Sequence, residues 1–207
     1  MSSVNYFDAI AHNWNVIRSE YFEEKLKYRI LEKVEIQDKI CADLGCGTGF
    51  ISLALAEKAE LVFSVDLSRN MLREVYDAAI KSGYKNLYPI KGSMEDLPLF
   101  DNSIDNVFTN MALHHVVQPE KAIEDMYRIL KSGGTAIISD VEQHNGVWAI
   151  EEMHDVWLGF SHSQIKNWML KAGFKNIDVV STELNCKGYS SKGEFTHTRI
   201  FLAKGNK

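Results

Sequence analysis

Asp43-Leu44-Gly45-Cys46-Gly47-Thr48-Gly49 follows directly on the strand-like run Lys39-Ile40-Cys41-Ala42. Three glycines at alternate positions leave backbone amides uncovered, so a ligand can approach the main chain closely. Asp66 ends the next strand-like run, Leu61 to Val65, where a carboxylate can accept two hydrogen bonds from a ribose diol. Together they read as a nucleoside site. A glycine turn alone can be no more than a tight strand-to-helix connection, and Asp66 argues against that. The spacing is G-x-G-x-G, whereas the dinucleotide fingerprint G-x-G-x-x-G uses its third glycine for helix packing beside a pyrophosphate. A nucleoside without phosphates therefore fits better than a nicotinamide dinucleotide, and a dehydrogenase is the weaker reading.

A second group of residues could move protons. Of seven histidines, six fall at or after position 114. His144 and His154, the latter beside Asp155, lie in a segment that fits no strand, and an imidazole with a pKa near about 6.5 can serve as a base. Each can equally be a surface or structural histidine. No H-x-H or H-x3-H spacing occurs, so no metal site is expected. Cys41, Cys46 and Cys186 form no C-x-x-C pair and read as buried or turn thiols.

The order of motifs resembles the class I S-adenosylmethionine-dependent methyltransferases, in particular the small-molecule group called type 11. The residues that carry the resemblance are the acidic G-x-G-x-G turn, Asp66, Gly92-Ser93-Met94-Glu95-Asp96-Leu97-Pro98, Asp101-Asn102-Ser103-Ile104-Asp105, Leu113-His114-His115 and Leu130-Lys131-Ser132-Gly133-Gly134. Two positions depart from the family: Ser93 stands where aspartate is usual, and Ser132 where proline is usual. The resemblance implies S-adenosyl-L-methionine as cofactor, with Asp43, Gly45, Cys46, Gly47 and Gly49 around its methionine end and Asn110 opposite them. Asp66 would take the ribose, Leu67 and Met71 the adenine face, and Ser93 or the Met94 backbone the adenine amino group. His114 and His115 are then ordinary members of the motif after the fourth strand, with His115 on the acceptor side.

Transfer from a sulfonium is an in-line displacement helped mainly by orientation and dryness, with a base needed only for an acceptor that arrives protonated. Aromatic faces attract a sulfonium and shed water. Tyr6, Trp14, Tyr21, Trp148 and Trp157 are accordingly candidates for the acceptor side, while Phe7 and Phe22 are read as rings that the arm buries on its own sheet. The expected function is methyl transfer to a small molecule; the alternative is a silent cofactor-binding sensor or partner subunit.

Composition narrows the partners. The formal net charge is −5 and no run of five basic residues occurs, so a phosphate-backbone footprint is missing and nucleic acid is not expected. Neither a signal-like start nor a stretch near the roughly 18 apolar residues of a membrane span is visible. The expectation is a cytoplasmic protein without membrane contact, its oligomeric state open.

The elements that must position these residues follow from pattern. Continuous apolar runs at Lys39 to Leu44, Leu61 to Val65, Leu87 to Ile90, Ile104 to Thr109 and Thr135 to Ser139 suit strands covered on both faces. Leu72, Val75, Tyr76 and Ala79, then Ile123, Met126, Tyr127 and Leu130, have helical spacing. Gly83 and Gly133 are expected helix stops, and Ser161 with Gln164 a helix start. Two further strands are expected near Ile177 to Val180 and Thr198 to Ala203, the last reversed by resemblance. The expected fold is α/β: a doubly wound, mostly parallel seven-stranded sheet with helices on both faces and an N-terminal helical arm. At 207 residues one domain is expected, divided as arm 1–35, cofactor half 36–140, acceptor-side insert 141–160 and C-terminal part 161–207.

Overall fold

The five continuous apolar runs become the parallel part of a seven-stranded sheet in a computed structural model that describes residues 3–207; positions 1 and 2 of the expected arm lie outside the described residues. The strands are β1 (Ile40–Leu44), β2 (Leu61–Asp66), β3 (Leu87–Lys91), β4 (Ile104–Asn110), β5 (Leu130–Val141), β6 (Lys175–Tyr189) and β7 (Phe195–Asn206). Their order is β3-β2-β1-β4-β5-β7-β6. β7 runs antiparallel to both neighbours, as the reversed strand was expected to. The order reverses at β1, between β2 and β4, and a ligand in such a sheet sits outside the carboxyl ends of the strands at that point.

Strand alternation divides the core. Cys41 faces a layer holding Leu26, Ile30, Leu72, Val75 and Ala79, and Ala42 and Leu44 face the layer of Ile123, Met126, Ile165, Trp168 and Met169. The first layer is built by α3 (Lys25–Leu31), α4 (Ser52–Ala56) and α5 (Arg69–Ser82), the second by α6 (Pro119–Ile129) and α8 (His162–Ala172). Local signals set several ends. Ser68 caps α5 by accepting from Met71 N–H, and Gly83 closes it at φ 77°. Ser161 caps α8 by accepting from Gln164 N–H.

Three expectations are corrected. Gly133 does not stop α6: Leu130, with ψ 138°, turns the chain straight into β5, and Gly133 lies inside that strand. The arm is not one helix but α1 (Ser3–Ile10), a 3-10 turn, α2 (Trp14–Tyr21) and α3, because Phe22 is extended and no side chain caps α2. β6 and β7 run well past their expected ends as a hairpin, with Ser190 N–H donating to Glu194 O and Gly193 at φ 83° in the turn.

Candidate active site

The glycine turn leaves β1 with Gly45, Gly47 and Gly49 at φ 66°, 53° and 93°, angles that favour glycine. A Cβ at Gly45 would overlap that of Ala112, and one at Gly49 would overlap Val75 of α5. Gly49 packs against α5 and is not among the residues that line the cavity, unlike Gly45 and Gly47. Asp66 organises the turn: Oδ2 accepts from Gly47 N–H and Oδ1 from Ser68 N–H, both at 2.9 Å. Each oxygen keeps a lone pair for a further donor. Burial raises the Asp66 pKa against the opposing effect of these bonds. Asp43 is held beneath by Ser52 Oγ at 2.6 Å, which Ser64 Oγ supports at 2.8 Å, and burial pushes its carboxyl up to about 7.

These residues open on a cavity of about 220 Å³ at the carboxyl ends of β1 and β2. Asp43, Gly45, Cys46, Gly47, Asp66, Leu67, Met71, Ser93, Met94 and Asn110 all line it, as do Trp14 and His115. Ser93 Oγ accepts from Glu95 N–H at 3.2 Å. Phe22 packs, as expected, in the core layer over the sheet and also borders the cavity, while Phe7 lines the cavity from α1. Hydrogen bonds hold the arm there: Ser68 Oγ donates to the Asp8 carboxylate at 2.5 Å, Asn70 donates to it from N–H at 3.1 Å and from Nδ2 to Asp8 O at 2.9 Å, and Thr48 Oγ1 donates to Asn15 at 2.8 Å.

Arg18 of α2 gave no sequence signal. It is 7% exposed, donates from Nη2 to Glu24 at 2.8 Å, and its guanidinium lies 4.2 Å from the centre of the Phe50 ring. Its Nε and Nη1 have no partner, and neither does Asn110 Oδ1. Buried polar atoms without partners are uncommon. All three belong to side chains of the cavity wall, so it offers free donors for a carboxylate, a free acceptor for an ammonium and a carboxylate for a diol. The residues present therefore fit an amino acid joined to a nucleoside.

A smaller cavity of about 80 Å³ adjoins, sharing Trp14, Phe22, Met111 and His115 with the first. Met111 is held at φ 52°, an uncommon angle for a side-chain-bearing residue, by N–H donation to Ser139 O. Tyr21, His144 and Trp148 line the smaller cavity. Trp148 Nε1 donates to Thr196 at 2.7 Å, and His144 Nδ1 accepts from Gly146 N–H at 3.1 Å. Burial lowers the His144 pKa, which keeps the ring neutral near pH 7. The outer wall is the β6–β7 hairpin, where Gly188 admits the Tyr21 and Trp148 rings: a Cβ there would stand 2.7 Å from Tyr21.

Three expected acceptor-side residues line neither cavity. Trp157 packs on Phe160 and Trp168 and donates from Nε1 to Val116 O, because the chain at 156–157 is bonded back to His114 O. Tyr6 and His154 stack edgewise on each other at 4.9 Å, with the Tyr6 hydroxyl on Met153. His114 and His115 are joined by Asp140 and Asp155 instead. His114 Nδ1 lies 2.6 Å from Asp140, and against burial these carboxylates raise its pKa to about 9. Burial and the neighbouring His114 lower that of His115.

A family model described as "Methyltransferase domain" matches residues 42–138. The chain is 26% identical over 190 residues to a malonyl-[acyl-carrier protein] O-methyltransferase of Hamiltonella defensa, covering 83% of this chain and 70% of that one. It is 29% identical over 171 residues to a chloroplastic 2-methyl-6-phytyl-1,4-hydroquinone methyltransferase of Arabidopsis thaliana, covering 80% of this chain and only 49% of that one. A tRNA U34 carboxymethyltransferase of Campylobacter jejuni is 26% identical over 182 residues, covering 82% and 62%. The chain therefore spans between about half and somewhat over two thirds of these relatives. Among solved structures, the YcgJ protein of Bacillus subtilis superposes with a TM-score of 0.77 at 16% identity, covering 89% of this chain and 99% of that one, which shows a shared fold.

Proposed function

The chain belongs to the class I S-adenosylmethionine-dependent methyltransferases, and from that premise we propose that it methylates a small-molecule acceptor held in the smaller cavity. The observation that carries this is the junction of the two cavities through Trp14, Phe22, Met111 and His115. A ligand in one meets a ligand in the other across a wall of rings, enclosed by the arm, the insert and the hairpin. S-adenosylmethionine, when bound, supplies a methyl group already activated on sulfur.

The residues of this chain then bind, orient and exclude water. Asp66 receives the ribose hydroxyls, Arg18 the carboxylate and Asn110 the ammonium, while Gly45, Cys46 and Gly47 allow close approach of the backbone. Leu67 and Met71 cover the base, with Ser93 or Met94 at its edge. The buried carboxylates of Asp43 and Asp66 and the faces of Phe7, Trp14 and Phe22 favour a cationic ligand. His144 lines this cavity, but with Nδ1 accepting from Gly146 N–H its neutral ring carries the hydrogen on Nε2 and offers an acceptor a donor, so proton removal by it requires that bond to be released; His154 lies outside the cavity.

The named acceptors of the relatives include a malonyl carrier protein, a hydroquinone and a tRNA. An acceptor cavity of only about 80 Å³ and a net charge of −5 favour the small molecule. Supplying radiolabelled S-adenosylmethionine with panels of thiols, phenols, carboxylic acids and amines, and separately with bulk tRNA, tests this. Label should enter small acceptors. Label entering tRNA alone would overturn the assignment, and label entering nothing while the cofactor binds would favour a silent sensor.

A further inference from the structure

His114 and His115 follow one another in the 3-10 turn after β4, and Asp155 comes from the insert. The two segments are joined by backbone: Val156 and Trp157 N–H both donate to His114 O at 3.0 Å. This brings Asp155 Oδ1 to 3.8 Å from His114 Nε2 and 3.6 Å from His115 Nδ1. Both separations are too long for hydrogen bonds. Among the described residues no donor lies within hydrogen-bonding distance of the Asp155 side chain, although the residue is only 9% exposed.

The distances suit atoms that share an ion. One ligand atom from each of the three side chains lies within 4.8 Å of the others. A zinc-like ion about 2.0 to 2.2 Å from each of three nitrogen or oxygen atoms sets them roughly 3.3 Å apart, so the two edges to Asp155 must shorten by a few tenths of an ångström, the histidine–histidine edge, which lies within 4.8 Å, by up to about 1.5 Å, and His115 Nδ1 must give up its 3.4 Å contact with His154 O. The support around it has the form that metal-binding imidazoles require: the other nitrogen of His114 faces a carboxylate, Asp140 Oδ1 at 2.6 Å, which fixes the ring with Nε2 turned toward Asp155. Asp140 is itself fully buried, and its second oxygen accepts from His114 N–H at 3.2 Å.

The geometry points to a divalent transition-metal site formed by His114 Nε2, His115 Nδ1 and Asp155 Oδ1, oriented by Asp140 and opening on the smaller cavity. Two imidazoles with one carboxylate suit zinc(II), iron(II) or cobalt(II) rather than magnesium or calcium, which prefer all-oxygen sites. His114, His115 and Asp155 all line the smaller cavity, so coordination positions left open by the protein face it. No sequence spacing announced the site, because its ligands come from two segments about forty residues apart and its orienting carboxylate from a third.

The test is metal titration of the full chain after chelator treatment, with cobalt(II) and zinc(II) as probes and no acceptor present. We expect one equivalent of cobalt(II) per chain with visible d–d bands, displaced by one equivalent of zinc(II). Asp155→Asn and His115→Gln should each weaken binding by at least about tenfold, and Asp140→Asn, which keeps all three ligands, by roughly 10- to 100-fold. Affinity for S-adenosylhomocysteine, measured on Asp155→Asn and Asp140→Asn, whose side chains do not line the cofactor cavity, reports that the fold and that pocket are intact, and thermal melting does so for His115→Gln, whose side chain lines it. Absence of stoichiometric binding, or binding that both Asp155→Asn and His115→Gln retain, overturns the site. Because cofactor affinity is read separately, that result would leave the methyl-transfer reading standing.

Discussion

At the scale of single residues, the larger cavity separates two recognitions that can be broken independently. Asp66 sits where a ribose diol would lie, and its oxygens already hold Gly47 and Ser68 N–H. Arg18 has two buried donors with nothing to bond. A lost hydrogen bond to a charged group costs about 1.5 to 3 kcal/mol. Asp66→Ala should therefore weaken S-adenosylhomocysteine binding by about 10- to 150-fold, and 5′-methylthioadenosine binding by a similar factor, since both carry the ribose. Arg18→Met should weaken S-adenosylhomocysteine over the same range and leave methylthioadenosine, which lacks the amino-acid end, nearly unchanged. Calorimetry on the four pairs decides it; equal losses for both ligands in Arg18→Met would show that the arginine only packs the arm against Phe50. The two residues differ in how openly they stand in the sequence. Asp66 is visible because it ends a strand at a fixed place after a glycine turn. Arg18 is one basic residue on a short helix, and only burial distinguishes it from a solvated one.

At the scale of elements, the arm is expected to move and the sheet to stay fixed. α1 is tied to the cap of α5 by Asp8, which accepts from Ser68 Oγ and Asn70 N–H, and those bonds keep the Asp8 carboxyl below its usual range. α2 is tied to the glycine turn by Asn15. Few bonds hold a segment that must open to admit a ligand, so hydrogen exchange in α1, α2 and the 141–160 insert should slow when S-adenosylhomocysteine is added. Asp8→Ala should raise exchange in α1 and weaken the ligand by about 3- to 10-fold, with exchange in β1, β4 and β5 unchanged. Equal exchange with and without ligand would make the arm a permanent part of the core. The sheet was legible because parallel strands buried on both faces keep short continuous apolar stretches, as Ile40 to Ala42 and Ala136 to Ile138 do, with polar residues such as Asp43 only where a strand reaches the site. The hairpin beyond Val180 was not, because Ser181 to Tyr189 mixes polar and apolar residues in a strand with a register shift between Ser181 and Asn185. Phe7 was misassigned for a related reason: periodicity shows that a ring is turned inward without showing which surface it meets.

At the scale of the whole molecule, the site sets a limit on stability. Asp43 lies under the glycine turn with its carboxyl pushed up to about 7, chiefly by burial, while Ser52 pulls the other way and the Asp66 charge adds to the rise. In the unfolded chain the same group titrates near about 3.9. Between these values the folded state holds a proton that the unfolded state has released, so stability must fall as pH rises from about 4 to about 7, then level off. Three pKa units correspond to at most about 4 kcal/mol. The groups held low, such as Asp8 and Asp105, act in the opposite sense and lose their contribution as pH falls below about 4. Asp43→Asn separates the two, since the amide oxygen still accepts from Ser52 Oγ and the side chain no longer ionises. Denaturant melts of both proteins at half-unit steps from pH 4.5 to 8 should show the variant gaining on the parent as pH rises, the difference growing up to pH 7 and constant above it. A difference that stays flat across the range would mean that water reaches Asp43 in solution, and the acidic floor of the cofactor pocket would then be charged at neutral pH without cost to the fold.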